Sequence, residues 1–216
     1  MLRNMFGHTL IAELFDKAGW VAIPLGICSI LALAVLFERI FTYSRLRQAE
    51  DTAFQALHTA LLNGDTNRIA DPALAEAPVT HILNTLNSLR GVSAESMQQA
   101  ADIAFGVQRL RLRRYLSTLA TIGNIAPYIG LFGTVLGVQA AFQTLSAGGV
   151  GADKMSSGIS EALSATALGL LVAIPSVVAY NFLLGELQKH LLQIQGHVAH
   201  LMPLLHTPAV RERERV

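Results

Sequence analysis

The residue best placed to do chemistry is Glu161. It follows Ser156-Ser157-Gly158-Ile159-Ser160, and the next 24 residues, Ala162 to Gly185, carry no charge. An ionisable group at the edge of so long an apolar run is costly to hold in hydrocarbon and belongs against protein or water. Low dielectric disfavours the charged form of a carboxyl group, so reversible protonation is the chemistry such a setting offers. A local alternative stands beside it: an acid at a helix start is stabilised by the helix dipole and needs no other role. Thr166 lies five residues on, about 140° of rotation and about 7.5 Å of rise, so the two side chains do not stack but can border one wide cavity. Ser164 and Thr166 also have a bland option, a bond back to their own helix. Thr134 lies in another apolar run, within Gly130-Leu131-Phe132-Gly133-Thr134-Val135-Leu136-Gly137.

Small residues surround these groups. Gly133 and Gly137 are four apart, and Gly123, Gly130 and Gly137 recur at seven, which places them on one helical face. Gly158 with Ala162 and Ala165 with Gly169 repeat the four-residue spacing. Such stripes let helix backbones approach closely in lipid, within one chain or between chains. Pro24, Pro127 and Pro175 lie in or near the apolar runs, where each frees a backbone carbonyl.

Other chemistries are not expected. His197 and His200 are flanked by His190 and His206, but no Cys accompanies them and no acid lies between Lys189 and Val210, so no metal site is expected. The glycines at 148, 149 and 151 follow no strand and precede no Lys-Ser/Thr, which excludes a phosphate loop. No Ser-His-Asp order or pair of catalytic acids is visible, so neither an enzyme nor a cofactor is expected. A net charge of +1 lacks the concentrated basic surface of a nucleic-acid binder. One cysteine, Cys28, rules out an intrachain disulfide and reads as a small buried hydrophobe.

The elements that must hold these residues follow from the composition. Hydrophobic residues make up 52% of the 216 and charged residues 14%, against about 25% in soluble domains. Mean hydropathy is +0.44. Charge-free runs cover Ala18 to Phe37, Tyr115 to Ala152 and Ala162 to Gly185. About 20 apolar residues cross a bilayer as a helix. The reading is an all-α membrane protein with three transmembrane helices and long cytoplasmic helical extensions. Its segments are an N-terminal periplasmic arm (1–18), a first membrane helix (19–39), a cytoplasmic helical insert (40–114), a helix over 115–147 with its membrane part at 121–145, a short periplasmic loop (148–160), a third membrane helix (161–184) and a cytoplasmic helical tail (185–216). A cleaved signal peptide is disfavoured, because Glu13 and Asp16 precede the first run and no short basic region does. Nine Lys and Arg lie between Glu38 and Arg114 and four after the third run, against three elsewhere, which puts insert and tail in the cytoplasm and the N-terminus outside it.

The insert has its own pattern. Leu46, Phe54, Leu57 and Leu61 recur at helical spacing, Asn63-Gly64-Asp65 signals a turn, and 79–89 reads as a helix with Ile82, Leu83, Leu86 and Leu89 inward. Ser93 caps a further helix that is expected to continue into the second span.

Two stretches resemble the ExbB/TolQ proton-channel family, a distant relation of the MotA stators. Thr121 to Val135 is similar to the family's second membrane helix, and Gly158 to Leu170, continuing through Ala173-Ile174-Pro175 to Tyr180-Asn181, to the third. Together they cover about a quarter of the chain, while the order of spans and insert matches over nearly all of it. Leu136 stands where the family usually has Trp, and Ser156-Ser157 where it often has Ala-Pro; neither change removes an ionisable group. The resemblance implies a homo-pentamer around a dimer of a single-span ExbD/TolR-like partner that brings a membrane aspartate. It implies that Glu161, Thr134 and Thr166 line the proton pathway, in the bacterial inner membrane. It further implies that proton flow drives a TonB-like protein, or a TolA-like one in the related division system. Slightly favoured is the ExbB-type role in outer-membrane uptake.

Overall fold

The computed structural model describes residues 18–89, 91–146 and 152–205, which form helices and turns with no strand among them. The expectations for residues 1–17, for the glycines at 148–151 and for the charged tail beyond 205 lie outside the described residues. The chain divides into two units, one of residues 1–37 and 115–182, the other of residues 38–114 and 183–216.

A short 3-10 turn, Gly19–Val21, leads into helix α1, Ala22–Leu62. Helix α2 is Pro78–Asn87, α3 is Ala94–Arg113, α4 is Leu116–Ser146 and α5 is Ala152–Leu201. Among the described residues, three helical stretches are long and apolar enough to cross a membrane: Gly19–Leu62, Leu116–Gln143 and Met155–Leu205. Large apolar side chains stay exposed along them, among them Trp20, Ile23, Ile30, Phe37, Tyr128 and Phe182. A soluble monomer does not present so much apolar surface. The protein is an all-α membrane protein with three candidate spans, as its composition implies. Helix α5 starts at Ala152, so residues 152–160, expected to be loop, are helical. Cys28 is half-buried in this chain rather than fully buried.

In the unit formed by residues 38–114 and 183–216, Ala53, Leu57 and Leu61 of α1 are buried, as are Val79, Ile82, Leu83 and Leu86 of α2. Met97 and Ala101 of α3 and Ile194, Val198 and Leu201 of α5 complete that core. Of the apolar residues expected to pattern the insert, Leu57, Leu61, Ile82, Leu83 and Leu86 are buried, while Leu46, Phe54 and Leu89 are only half-buried. Gly64, at φ +75, makes the expected turn, and Ser93 Oγ accepts from the Ser96 N–H as a cap.

A further expectation fails. Helix α3 does not run on into α4. It ends at Arg113; Arg114 is extended at ψ 142°, and Tyr115 takes φ +69°, a left-handed conformation costly for a residue with a Cβ. No Gly or Pro marks the break in the sequence. Its cause is tertiary: the Leu112 carbonyl accepts from the Tyr43 hydroxyl at 3.0 Å and from Arg39 Nη1 at 3.3 Å. Two side chains of α1 satisfy a carbonyl that a continuous helix would have bonded internally.

Candidate functional site

Glycine decides how closely α4 and α5 approach. A Cβ on Gly130 would sit 2.8 Å from the Ala165 carbonyl oxygen and 3.2 Å from the Gly169 Cα. One on Gly169 would sit 2.7 Å from the Ala126 oxygen, and one on Gly137 2.8 Å from the Ala162 Cβ. Gly123 meets Val177 and Gly158 meets Ala141 in the same way. The contacts advance along α4 as they retreat along α5, so the helices are antiparallel and the stripes form one contact within the chain. Gly133 meets both Ala165 of α5 and Val21 at the start of the first span. Pro127 and Pro175 both lie inside helices, where each removes the bond to the carbonyl four residues back. Pro175 lines a recess of ≈ 130 Å³ with Ser29, Leu36, Leu119, Leu171 and Ser176. None of Glu161, Thr134 and Thr166 borders it.

At the centre of this contact Thr134 meets Thr166. Their hydroxyl oxygens are in direct hydrogen-bond contact. The Thr134 hydroxyl also lies 3.1 Å from the Ala162 carbonyl oxygen across the interface and 3.2 Å from that of Gly130 in its own helix. The Thr166 hydroxyl lies 3.2 Å from the same Gly130 oxygen, which for Thr166 is across the interface. Each hydroxyl has one proton to give. Two arrangements therefore satisfy the pair. Thr166 donates to Thr134 while Thr134 donates to Ala162, or Thr134 donates to Thr166 while Thr166 donates to Gly130. They differ only in hydrogen positions. The purely local option thus fails for Thr166, but it holds for Ser164, whose hydroxyl donates to the Ser160 carbonyl at 2.8 Å.

Glu161 lies nine residues inside α5, which starts at Ala152, so it is not in the first turn. The dipole effect of a helix end falls off within that turn, which removes the local explanation for an acid here. Its neighbour Ala162 is buried at 1% exposure, whereas Glu161 itself is exposed in the single chain. Its carboxyl reaches towards Gly19 at the start of the first span, with Oε1 2.5 Å from where a Gly19 Cβ would be. The structure therefore brings Thr134 and Thr166 together and places Glu161 about 7.5 Å of helix rise from Thr166, on a different face.

Sequence reasoning missed a second constellation, in the other unit. Glu50 is 2% exposed. It accepts from the Val79 N–H, near the start of α2, at 3.2 Å and lies 3.2 Å from His197 Nδ1. Phe54 stacks on His197 with ring centroids 4.1 Å apart, and His58 and His200 pack beside them. Burial raises the Glu50 carboxyl above its usual range, against the Val79 and His197 bonds that lower it. Burial lowers His190, with Arg47 acting in the same direction. The periodic apolar spacing carried no sign of Glu50, since an acid on a charged stretch of helix reads as solvated.

A family model described as the MotA/TolQ/ExbB proton channel family matches residues 66–196. An ExbB-like biopolymer transport protein of Synechocystis is 36% identical over 177 residues, covering 79% of this chain and 69% of its own. The biopolymer transport protein ExbB of Aquifex aeolicus is 40% identical over 106 residues, 49% of this chain and 68% of its own. The Tol-Pal system protein TolQ of Haemophilus influenzae is 45% identical over 84 residues, 38% of this chain and 37% of its own.

Proposed function

The chain belongs to the MotA/TolQ/ExbB proton channel family, and from that premise we propose that it is the proton-conducting subunit of an inner-membrane motor. Glu161 takes up and releases the proton, and Thr134 and Thr166 relay it. The observation that supports this most is the threonine pair: two hydroxyls joined across the glycine-lined contact of α4 and α5, with two hydrogen arrangements that interconvert without moving a heavy atom. One carboxylate per chain cannot wire a bilayer. Five copies converging on a dimer of an ExbD/TolR-like single-span partner, with the partner's aspartate, make a relay. One charge crossing 100 mV releases about 2.3 kcal/mol, enough to bias a small rearrangement of helices in each step.

In this reading the N-terminus is periplasmic and the insert and tail are cytoplasmic, following the 13 Lys and Arg on one side against 3 on the other. The work is handed through the partner to a TonB-like transducer that energises outer-membrane uptake. A TolA-like transducer in a Tol-Pal system is the second reading, favoured by the TolQ relative's 45% identity. Loss of iron- or vitamin-limited growth on deletion supports the first; chaining at division with intact uptake supports the second.

The test is proton flux in vesicles holding this protein and its genomic single-span partner, for the wild type and Glu161→Gln. Flux falling at least tenfold while the complex stays intact on a native gel is the expected result. Unchanged flux would make the protein a scaffold rather than a conductor at this position.

A further inference from the structure

We propose that Gly19 is a positioning residue for Glu161, its bare α-carbon forming the notch that receives the carboxyl group. The inference rests on the reading of Glu161 as the proton-carrying group. Gly19 takes φ +57°, a left-handed conformation open to glycine and costly to residues with a Cβ. The space a side chain would fill is occupied: Glu161 Oε1 lies 2.5 Å and Cδ 3.6 Å from the Cβ position. Any side chain at 19 therefore competes with the carboxyl for the same volume.

The backbone at Gly19 is held in place by its neighbours. Ala18 and Val21 are 2% and 3% exposed, and Leu25 is fully buried. Trp20 packs edge-on against Phe132 with ring centroids 6.2 Å apart. Val21 sits against Gly133, 2.9 Å from where that glycine's Cβ would be, so Gly133 makes the room that lets the turn dock. By contrast, the carboxyl ends a chain of rotatable bonds. When the notch is filled, the carboxyl moves and the turn stays. No other Asp, Glu, Lys or Arg lies in residues 18–37, 115–146 or 155–182, so Glu161 has no charged neighbour in this unit's described side chains. Filling the notch therefore changes what surrounds the carboxyl group.

Two measurements on the complex with the single-span partner test this: proton flux against pH, and the rate at which a hydrophobic carbodiimide modifies Glu161 against pH. Gly19→Ala is expected to shift both midpoints by half a pH unit or more, a threefold change in the proton equilibrium, with assembly intact on a native gel. Gly19→Asn tolerates the left-handed backbone yet still fills the notch, and it should give the same shift. Glu161→Asp withdraws the carboxyl by one methylene, so adding Gly19→Ala to it should move the carbodiimide midpoint little. Unchanged midpoints in assembled Gly19 variants overturn the proposal. So does an equal shift in the Glu161→Asp background, which would trace the effect to the backbone. Failure of both Gly19 variants to assemble would make the residue structural only. If Glu161→Gln conducts normally, the relay reading falls, while the carbodiimide midpoint still decides the role of Gly19.

Discussion

Replacing Gly130 by alanine tests the helix contact on which the threonine pair depends. The added Cβ would lie 2.8 Å from the Ala165 oxygen, 3.1 Å from the Thr166 Cα and 3.2 Å from the Gly169 Cα. All three are backbone atoms, so no side chain can rotate away and the helices must part by about half an ångström. A gap of that size forfeits about a quarter or more of each dispersion contact along the seam. Overpacking of this kind costs about 1–3 kcal/mol. Against it stands the gain of about 0.5–1 kcal/mol from removing a glycine inside a helix. The net loss is about 1–2 kcal/mol, which lowers the melting temperature by about 2–8 °C in a chain of this size. Gly185→Ala is the matched control: it lies in the same helix system with nothing within 4 Å of its Cβ position, so it should gain about 0.5–1 kcal/mol. The assay is thermal unfolding of both variants in one detergent, followed by intrinsic fluorescence or light scattering. Opposite signs are expected. If Gly130→Ala melts at or above the wild type, α4 and α5 do not pack through this glycine and the reasoning fails.

Three further outcomes follow from the same geometry. Thr134→Val removes a hydroxyl from the pair and should lower proton flux at least tenfold at a stability cost of about 1 kcal/mol, while Thr134→Ser keeps most of the flux; equal flux in both would remove the hydroxyl from the pathway. His190 is lowered by burial, so between its folded value and the ordinary 6.5 the unfolded chain binds more protons and stability falls as pH drops below about 6.5. His190→Phe should flatten denaturation midpoints between pH 7.5 and 5.5, and a wild-type slope retained in the variant would refute this. For orientation, a cysteine placed at exposed Glu95 in a Cys28→Ala background should react with an impermeant maleimide only after the inner membrane is opened; labelling of intact spheroplasts would reverse the topology.

Much of the membrane architecture is legible because charge exclusion is a long-range signal. The runs 18–37, 115–152 and 162–185 each declare a helix without help from packing. The spacing of Gly123, Gly130 and Gly137 foretold close approach, yet whether the partner was the same chain depended on the antiparallel register of α4 against α5, which no spacing encodes. Tyr115 shows the opposite case. Arg113-Arg114-Tyr115 holds no helix breaker, and the break exists because Arg39 and Tyr43, about 70 residues earlier, take the Leu112 carbonyl. The pairing of Thr134 with Thr166 was only half readable. Their positions in the apolar runs were plain, but each had a local bond available, and only the antiparallel register sets them against each other.

The buried Glu50 also bears on how the chain is made. Its two partners, Val79 and His197, lie 29 and 147 positions further along. While the ribosome works through the insert, Glu50 can gain its bond to the start of α2. His197, and with it the ring that stacks on Phe54, arrives only after the third span has been synthesised. Until then a carboxylate destined for burial lacks its imidazole, and an aromatic face lies open. Residues 38–114 and 183–216 therefore close their common core only after the last apolar segment has left the tunnel. A chain stalled or clipped before His197 leaves that core unfinished, with Glu50 and the Phe54 ring face lacking their partner.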